Sequence, residues 1–119
     1  MDKDKLKFIL ESGEGQFTEF KESADKSLAK EVVAFANASG GSIYLGIADN
    51  GVVKGIPISN KIKSEIQDIA RNCDPPVSVI LEEKGNILEV RIKEGNNKPY
   101  SCSGGFFMRR SSLLPMICG

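Results

Sequence analysis

The stretch Ser27–Gly55, SLAKEVVAFANASGGSIYLGIADNGVVKG, constrains this chain more than any other. Leu28, Val32, Phe35 and Ala36 recur at helical spacing and line one face of a helix. Asn37-Ala38-Ser39-Gly40-Gly41 breaks that period with the residue types a helix C-terminus favours, because the chain there commonly turns left-handed. Ser42–Ala48 is β-branched and aromatic enough for a strand, and apolar enough to be buried on at least one face. Asp49-Asn50-Gly51 offers a tight turn, and Val52-Val53 starts a returning strand. Helix, glycine corner, strand and hairpin thus follow within one short span.

The flanking sequence extends this pattern. Lys5–Glu11 is a short helical segment with Leu6, Ile9 and Leu10 on one side, and Gln16–Lys21 alternates aromatic and polar residues as a strand does. Asp25 or Ser27 can cap the helix described above. Ser59 or Asn60 can cap a second long helix through Ile62, Ile66, Ile69 and Cys73, which Asp74-Pro75-Pro76 must end. Val77–Leu81 and Ile87–Ile92 read as two strands joined by Glu83–Asn86. In the second, Leu88, Val90 and Ile92 face one way and Glu89, Arg91 and Lys93 the other. Gly95–Pro99 is a loop, and Phe106–Arg110 reads as a last short strand. The order predicts an α+β fold in two layers, a mixed β-sheet with helices packed mainly on one face.

A chain of 119 residues has room for one modest core. With 16 Lys+Arg against 16 Asp+Glu, a nucleic-acid partner would have to be held by a local patch of charge. No apolar run is long enough for a membrane span, and the charged start MDKDKLKF is unlike a signal peptide. Cys73, Cys102 and Cys118 have no C-x-x-C spacing, so reduced thiols in a cytoplasmic protein are expected. The absence of histidine removes Ser-His and Cys-His nucleophile pairs and mixed Cys/His zinc sites. If the chain is an enzyme by itself, carboxylates with a hard cation are the most plausible equipment left.

No P-loop and no G-x-G-x-x-G motif is present, and Gly40-Gly41 falls at the negative end of a helix dipole, the wrong end for phosphate. Glu14, Glu19 and Asp49 could converge if the first strand pairs beside Ile43–Ala48, and would then offer a cage for Mg²⁺ or Mn²⁺. The alternative is three solvated surface carboxylates. Lys21, Lys98, Arg109 and Arg110 could contact phosphates, with Tyr100, Phe106 and Phe107 between them to stack on bases. The alternative is that the aromatics fill the core while the cations stay in water.

Together, Glu14-x-x-x-x-Glu19-Phe20-Lys21-Glu22-Ser23, Val33–Gly41, Leu45–Asp49, Val53-x-Gly55, Asp74-Pro75-Pro76, Lys98-Pro99 and Phe107-Met108-Arg109 resemble the Schlafen AlbA_2 domain. The resemblance covers Lys5 to Ser111, which sets a domain at 1–112 and an apolar tail at 113–119, the start of a truncated downstream region or a docking end. It implies an Alba-like fold and a nucleic-acid-binding module, the recognition domain of a transcriptional regulator, binding DNA or RNA as a homodimer. In animal Schlafen proteins the module belongs to a metal-dependent ribonuclease, whose acidic residues fall by motif on Glu14, Glu19 and Asp49. A Mg- or Mn-dependent endoribonuclease is therefore the second function implied, and a protein-interaction or assembly domain is a third possibility. Two departures stand out. Arg109-Arg110-Ser111-Ser112 lacks the family's following glycine, and one copy would need to dimerise to form the groove that animal Schlafens build from two. The older ATPase label attached to this family finds no phosphate loop here.

Overall fold

The structure, a computed structural model, describes residues 3–106. Helix α1 covers Lys3–Ser12, strand β1 Thr18–Lys21, helix α2 Leu28–Asn37 and strand β2 Gly41–Leu45. Helix α3 (Asn60–Arg71), strands β3 (Val79–Lys84) and β4 (Ile87–Ile92), and the short pair β5 (Ser101–Cys102) and β6 (Gly105–Phe106) follow. The main sheet runs β1-β2-β4-β3. β1 and β2 are parallel and the other pairs antiparallel, so the sheet is mixed as expected.

Alternation along each strand divides the sheet into two faces. Ile43, Leu45, Leu88, Val90 and Ile92 form one core with Leu28, Val32 and Phe35 of α2 and Ile66 and Ala70 of α3. On the opposite face Phe20, Tyr44, Ile47 and Ile87 make a smaller core, against which Ile9 and Leu10 of α1 pack. The Phe20 and Tyr44 rings meet edge to face at 6.4 Å. Helices α2 and α3 thus share a face, and α1 covers part of the other.

The glycine corner works through close approach. A Cβ on Gly40 would stand 2.6 Å from the Ile92 carbonyl oxygen, and one on Gly41 would stand 2.5 Å from the Phe35 ring. Gly40 also has φ +78, which a side chain disfavours. Only bare backbone lets β2 pass this near to α2 and β4. Asn37, expected merely to end the helix, has a larger task. Its buried amide donates to the Tyr100 carbonyl at 2.9 Å and accepts from the Tyr100 N–H at 2.6 Å, so the side chain replaces a strand partner.

Three local expectations change. Val52-Val53 forms no strand, only a single bridge from Val53 to Ile47. Ser59 caps α3, its Oγ accepting from the Ile62 N–H at 3.2 Å. At α2, however, the Ser27 hydroxyl turns away from the helix, donating to Asp25 Oδ1 at 2.5 Å and accepting from Lys21 Nζ at 2.8 Å. The third concerns β4. Glu89, placed by alternation on the polar face, is 5% exposed. It accepts from the Ser42 hydroxyl at 2.6 Å and the Tyr44 hydroxyl at 3.4 Å, and pairs with Lys84 at 3.3 Å. Lys84 also pairs with Glu82, which lies 3.4 Å from Arg91. Burial and the neighbouring Glu89 charge push the Tyr44 phenol up to about 12.

Candidate functional site

The segment between α1 and β1 folds back along the outer edge of the sheet. Gly15 and Thr18 exchange backbone hydrogen bonds, and the Glu14 carboxylate accepts the Phe20 N–H at 3.0 Å. The outward N–H groups of Thr18 and Phe20 on this edge strand are thereby satisfied. Pairing of β1 with β2, Glu19 beside Ile43, brings this edge next to the strand that leads to Asp49.

The three sequence-predicted carboxylates are therefore neighbours. The Glu14 carboxyl is held above the usual carboxylate range. Partial desolvation contributes most, opposed by the Phe20 hydrogen bond and reinforced by a hydrogen-bonding contact with Glu19 and by the charges of Glu19 and Asp49. Proximity of charge is not yet a coordination shell. Among the described residues no group of three or more Asp, Glu or Cys side chains is arranged to hold a metal ion. As they stand the three carboxylates form no coordination shell.

The predicted cations separate into two places. Lys21 is tied to Ser27 at the start of α2. Lys98 pairs with Glu94 at 2.5 Å and lies two residues from Tyr100, which clasps Asn37 at the end of α2. A ten-residue helix, roughly 15 Å long, separates those ends. Arg109 and Arg110 lie outside the described residues, as do Phe107 and the 113–119 tail. Tyr100 is 5% exposed and its hydroxyl accepts the Asn97 N–H at 3.1 Å, so it belongs to the core and offers no face for base stacking. Its apolar ring fills the space beside Gly95, where any Cβ would collide with it.

Sequence reasoning passed over Lys26 and Lys30. They occupy positions i and i+4 across the start of α2, and together with Ser103 and Gly104 of the β5–β6 turn they line a cleft of about 250 Å³. Their helical spacing was the available signal. The N-terminal end of α2 adds the positive end of its dipole to the same region. Lys21, Lys26 and Lys30 thus surround one helix start.

The family model for Schlafen, AlbA_2 matches residues 14–113. The chain belongs to the Schlafen AlbA_2 family. This AlbA_2 domain is similar to the solution structure of the N-terminal domain of a Nitrosomonas europaea protein named as related to the ATP-dependent DNA helicase RecG. The identity is 26%, the TM-score is 0.60, and the match covers 98% of this chain and 90% of that one. It also shares the fold of the DIP2311 protein from Corynebacterium diphtheriae, at 17% identity and TM-score 0.66, over 98% of this chain. It spans 26% of the DIP2311 chain. No curated protein sequence matches this AlbA_2 domain. No helix among its described residues is long and apolar enough to cross a membrane.

Proposed function

We propose that this AlbA_2 domain is a nucleic-acid-binding module, the recognition domain of a regulator, acting as a homodimer in the cytoplasm. Family membership supports the reading, as does similarity to the N-terminal domain of a protein named for its relation to a DNA helicase. The observation that carries it at the level of residues is the cationic start of α2, with Lys26 and Lys30 in the wall of a cleft and Lys21 beside Ser27. With no net charge on the whole chain, such a local cluster is what phosphate contact requires. Arg109 and Arg110 follow β6 in sequence and join the proposed contact set, while Lys98 stands apart from it.

The test is fluorescence polarisation with labelled single-stranded and duplex DNA and RNA, titrated at several salt concentrations. Binding that weakens log-linearly with salt supports the reading, and no binding to any of them at low salt overturns it. Light scattering on the same sample tests the homodimer.

A second reading, a Mg- or Mn-dependent endoribonuclease, draws on the neighbourhood of Glu14, Glu19 and Asp49. RNA cleavage that is lost in EDTA and in Glu19→Ala would support it. Cleavage that survives both, or no cleavage in Mg²⁺ or Mn²⁺, would remove it.

A further inference from the structure

We propose that Cys73 and Cys102 are a paired oxidation site, forming a reversible disulfide that ties the end of α3 to the β5–β6 hairpin. Asp74 and Ser101 form an antiparallel bridge and exchange both backbone hydrogen bonds, at 2.8 and 2.7 Å. Cys73 precedes Asp74 and Cys102 follows Ser101, so the two cysteines flank that bridge on the same side. The position next to a doubly bonded antiparallel pair is the closer one, with Cα atoms about 4.5 Å apart. A disulfide spans Cα separations of about 4.4–6.8 Å.

Two further observations put the thiols in one neighbourhood. Both cysteines are free thiols, and both line one cleft of about 240 Å³ with Lys26 and Ser103. The Cys73 thiol is pushed up to about 11, first by burial and then by Cys102 itself. Its S–H points at the Ile69 carbonyl, 3.4 Å away. Cys73 is therefore the resting partner, and the half-buried Cys102 is the thiol an oxidant reaches.

With hydrogen peroxide as oxidant the chemistry balances in two steps. The Cys102 thiolate attacks one peroxide oxygen and the O–O bond breaks. Hydroxide leaves, takes up a proton as water, and leaves Cys102 as a sulfenic acid. The Cys73 sulfur then attacks the Cys102 sulfur. The S–S bond forms, the S–O bond breaks, and the departing hydroxide takes the Cys73 proton as a second water. Two thiols are oxidised by two electrons and one peroxide is reduced to two waters. None of this depends on the nucleic-acid reading.

Peptide mapping of the folded full chain carrying Cys118→Ser, treated with dilute hydrogen peroxide and then alkylated, tests the proposal. The expected result is one intramolecular peptide linking positions 73 and 102, with both thiols lost to alkylation together and both regained after dithiothreitol. Cys102→Ser should abolish the link and leave Cys73 alkylatable in urea. Because the oxidised parent is read directly, a poorly folding variant does not blur the outcome. Sulfinic acid accumulating on Cys102 without a link, bridging only between chains, or two thiols that survive peroxide would each overturn it.

Discussion

Replacing Asn37 with alanine tests the structure at a buried polar contact between the end of α2 and Tyr100. The Asn37 amide meets both the N–H and the carbonyl of Tyr100, at 2.6 and 2.9 Å, and the two residues are 6% and 5% exposed. Alanine removes both partners at once. Each orphaned backbone group costs about 1–3 kcal/mol when water cannot reach it. Taking the lower half of that range, because a deleted side chain admits some water, gives a loss of about 3 kcal/mol. That is a large share of a total stability of about 5–15 kcal/mol. With an m-value of about 1.5 kcal/mol/M in urea, the midpoint should fall by about 2 M with the slope unchanged. Asn37→Asp sharpens the test. At neutral pH its carboxylate still accepts the Tyr100 N–H but sets an oxygen against the Tyr100 carbonyl, so it should be at least as damaging as alanine. A protonated carboxyl can donate to that carbonyl, so the aspartate variant should regain ground on the alanine variant as the pH falls. Urea unfolding followed by circular dichroism reads both. A midpoint for Asn37→Ala within about 0.3 M of the parent, equivalent to about 0.5 kcal/mol, would refute the clasp.

Three further outcomes follow from the same reasoning. Glu14 has a folded-state pKa above its ordinary 4.5, so its contribution is fully present below that value and is lost as the pH rises through the folded pKa. Glu14→Gln keeps an acceptor for the Phe20 N–H and removes the charge. Its stability should therefore gain on the parent's from about pH 4.5 upward, and parallel stability curves across that range would contradict the crowding of Glu14 by Glu19 and Asp49. Gly40→Ala must take φ +78 with its Cβ 2.6 Å from the Ile92 carbonyl oxygen, a backbone atom that cannot swing aside. It should cost at least about 2 kcal/mol, and a thermal melt unchanged from the parent would refute the close approach. Lys26→Ala combined with Lys30→Ala should lower nucleic-acid affinity and flatten its salt dependence, by about 0.9 in log–log slope for each duplex DNA phosphate no longer neutralised. An unchanged slope would move the interface elsewhere.

Much of the fold was legible because local signals agreed with one another. The period of Leu28, Val32 and Phe35, the paired glycines and the strand read from Ser42 all point to the same corner, and the structure builds it, ending the strand at Leu45 where the pattern ran on to Ala48. The less legible parts depend on residues far apart in sequence. Asn37 carries an ordinary helix-ending signal, and nothing local indicates that its partner is Tyr100, 63 positions on. Tyr100 looked suited to stacking until that clasp placed it in the core. The acidic neighbourhood was readable only through the pairing of β1 with β2, which a strand pattern alone does not specify. Lys26 and Lys30 were visible as spacing, but the β5–β6 turn that closes their cleft comes from the other end of the chain.

The buried Glu89 has a consequence for strand alignment. On β4 it alternates with Leu88 and Val90, which pack beneath α2 and α3. Sliding β4 by one residue against its neighbours would exchange those faces, taking the carboxylate from Ser42, Tyr44 and Lys84 and setting it among Leu28, Val32 and Phe35. An unpaired carboxylate there costs several kcal/mol, comparable to the whole stability of a domain this size. The misaligned sheet is thus excluded by charge as well as by poorer packing. Glu89 acts as an alignment key for the central strands, whose apolar residues alone would discriminate less sharply between one pairing and the next.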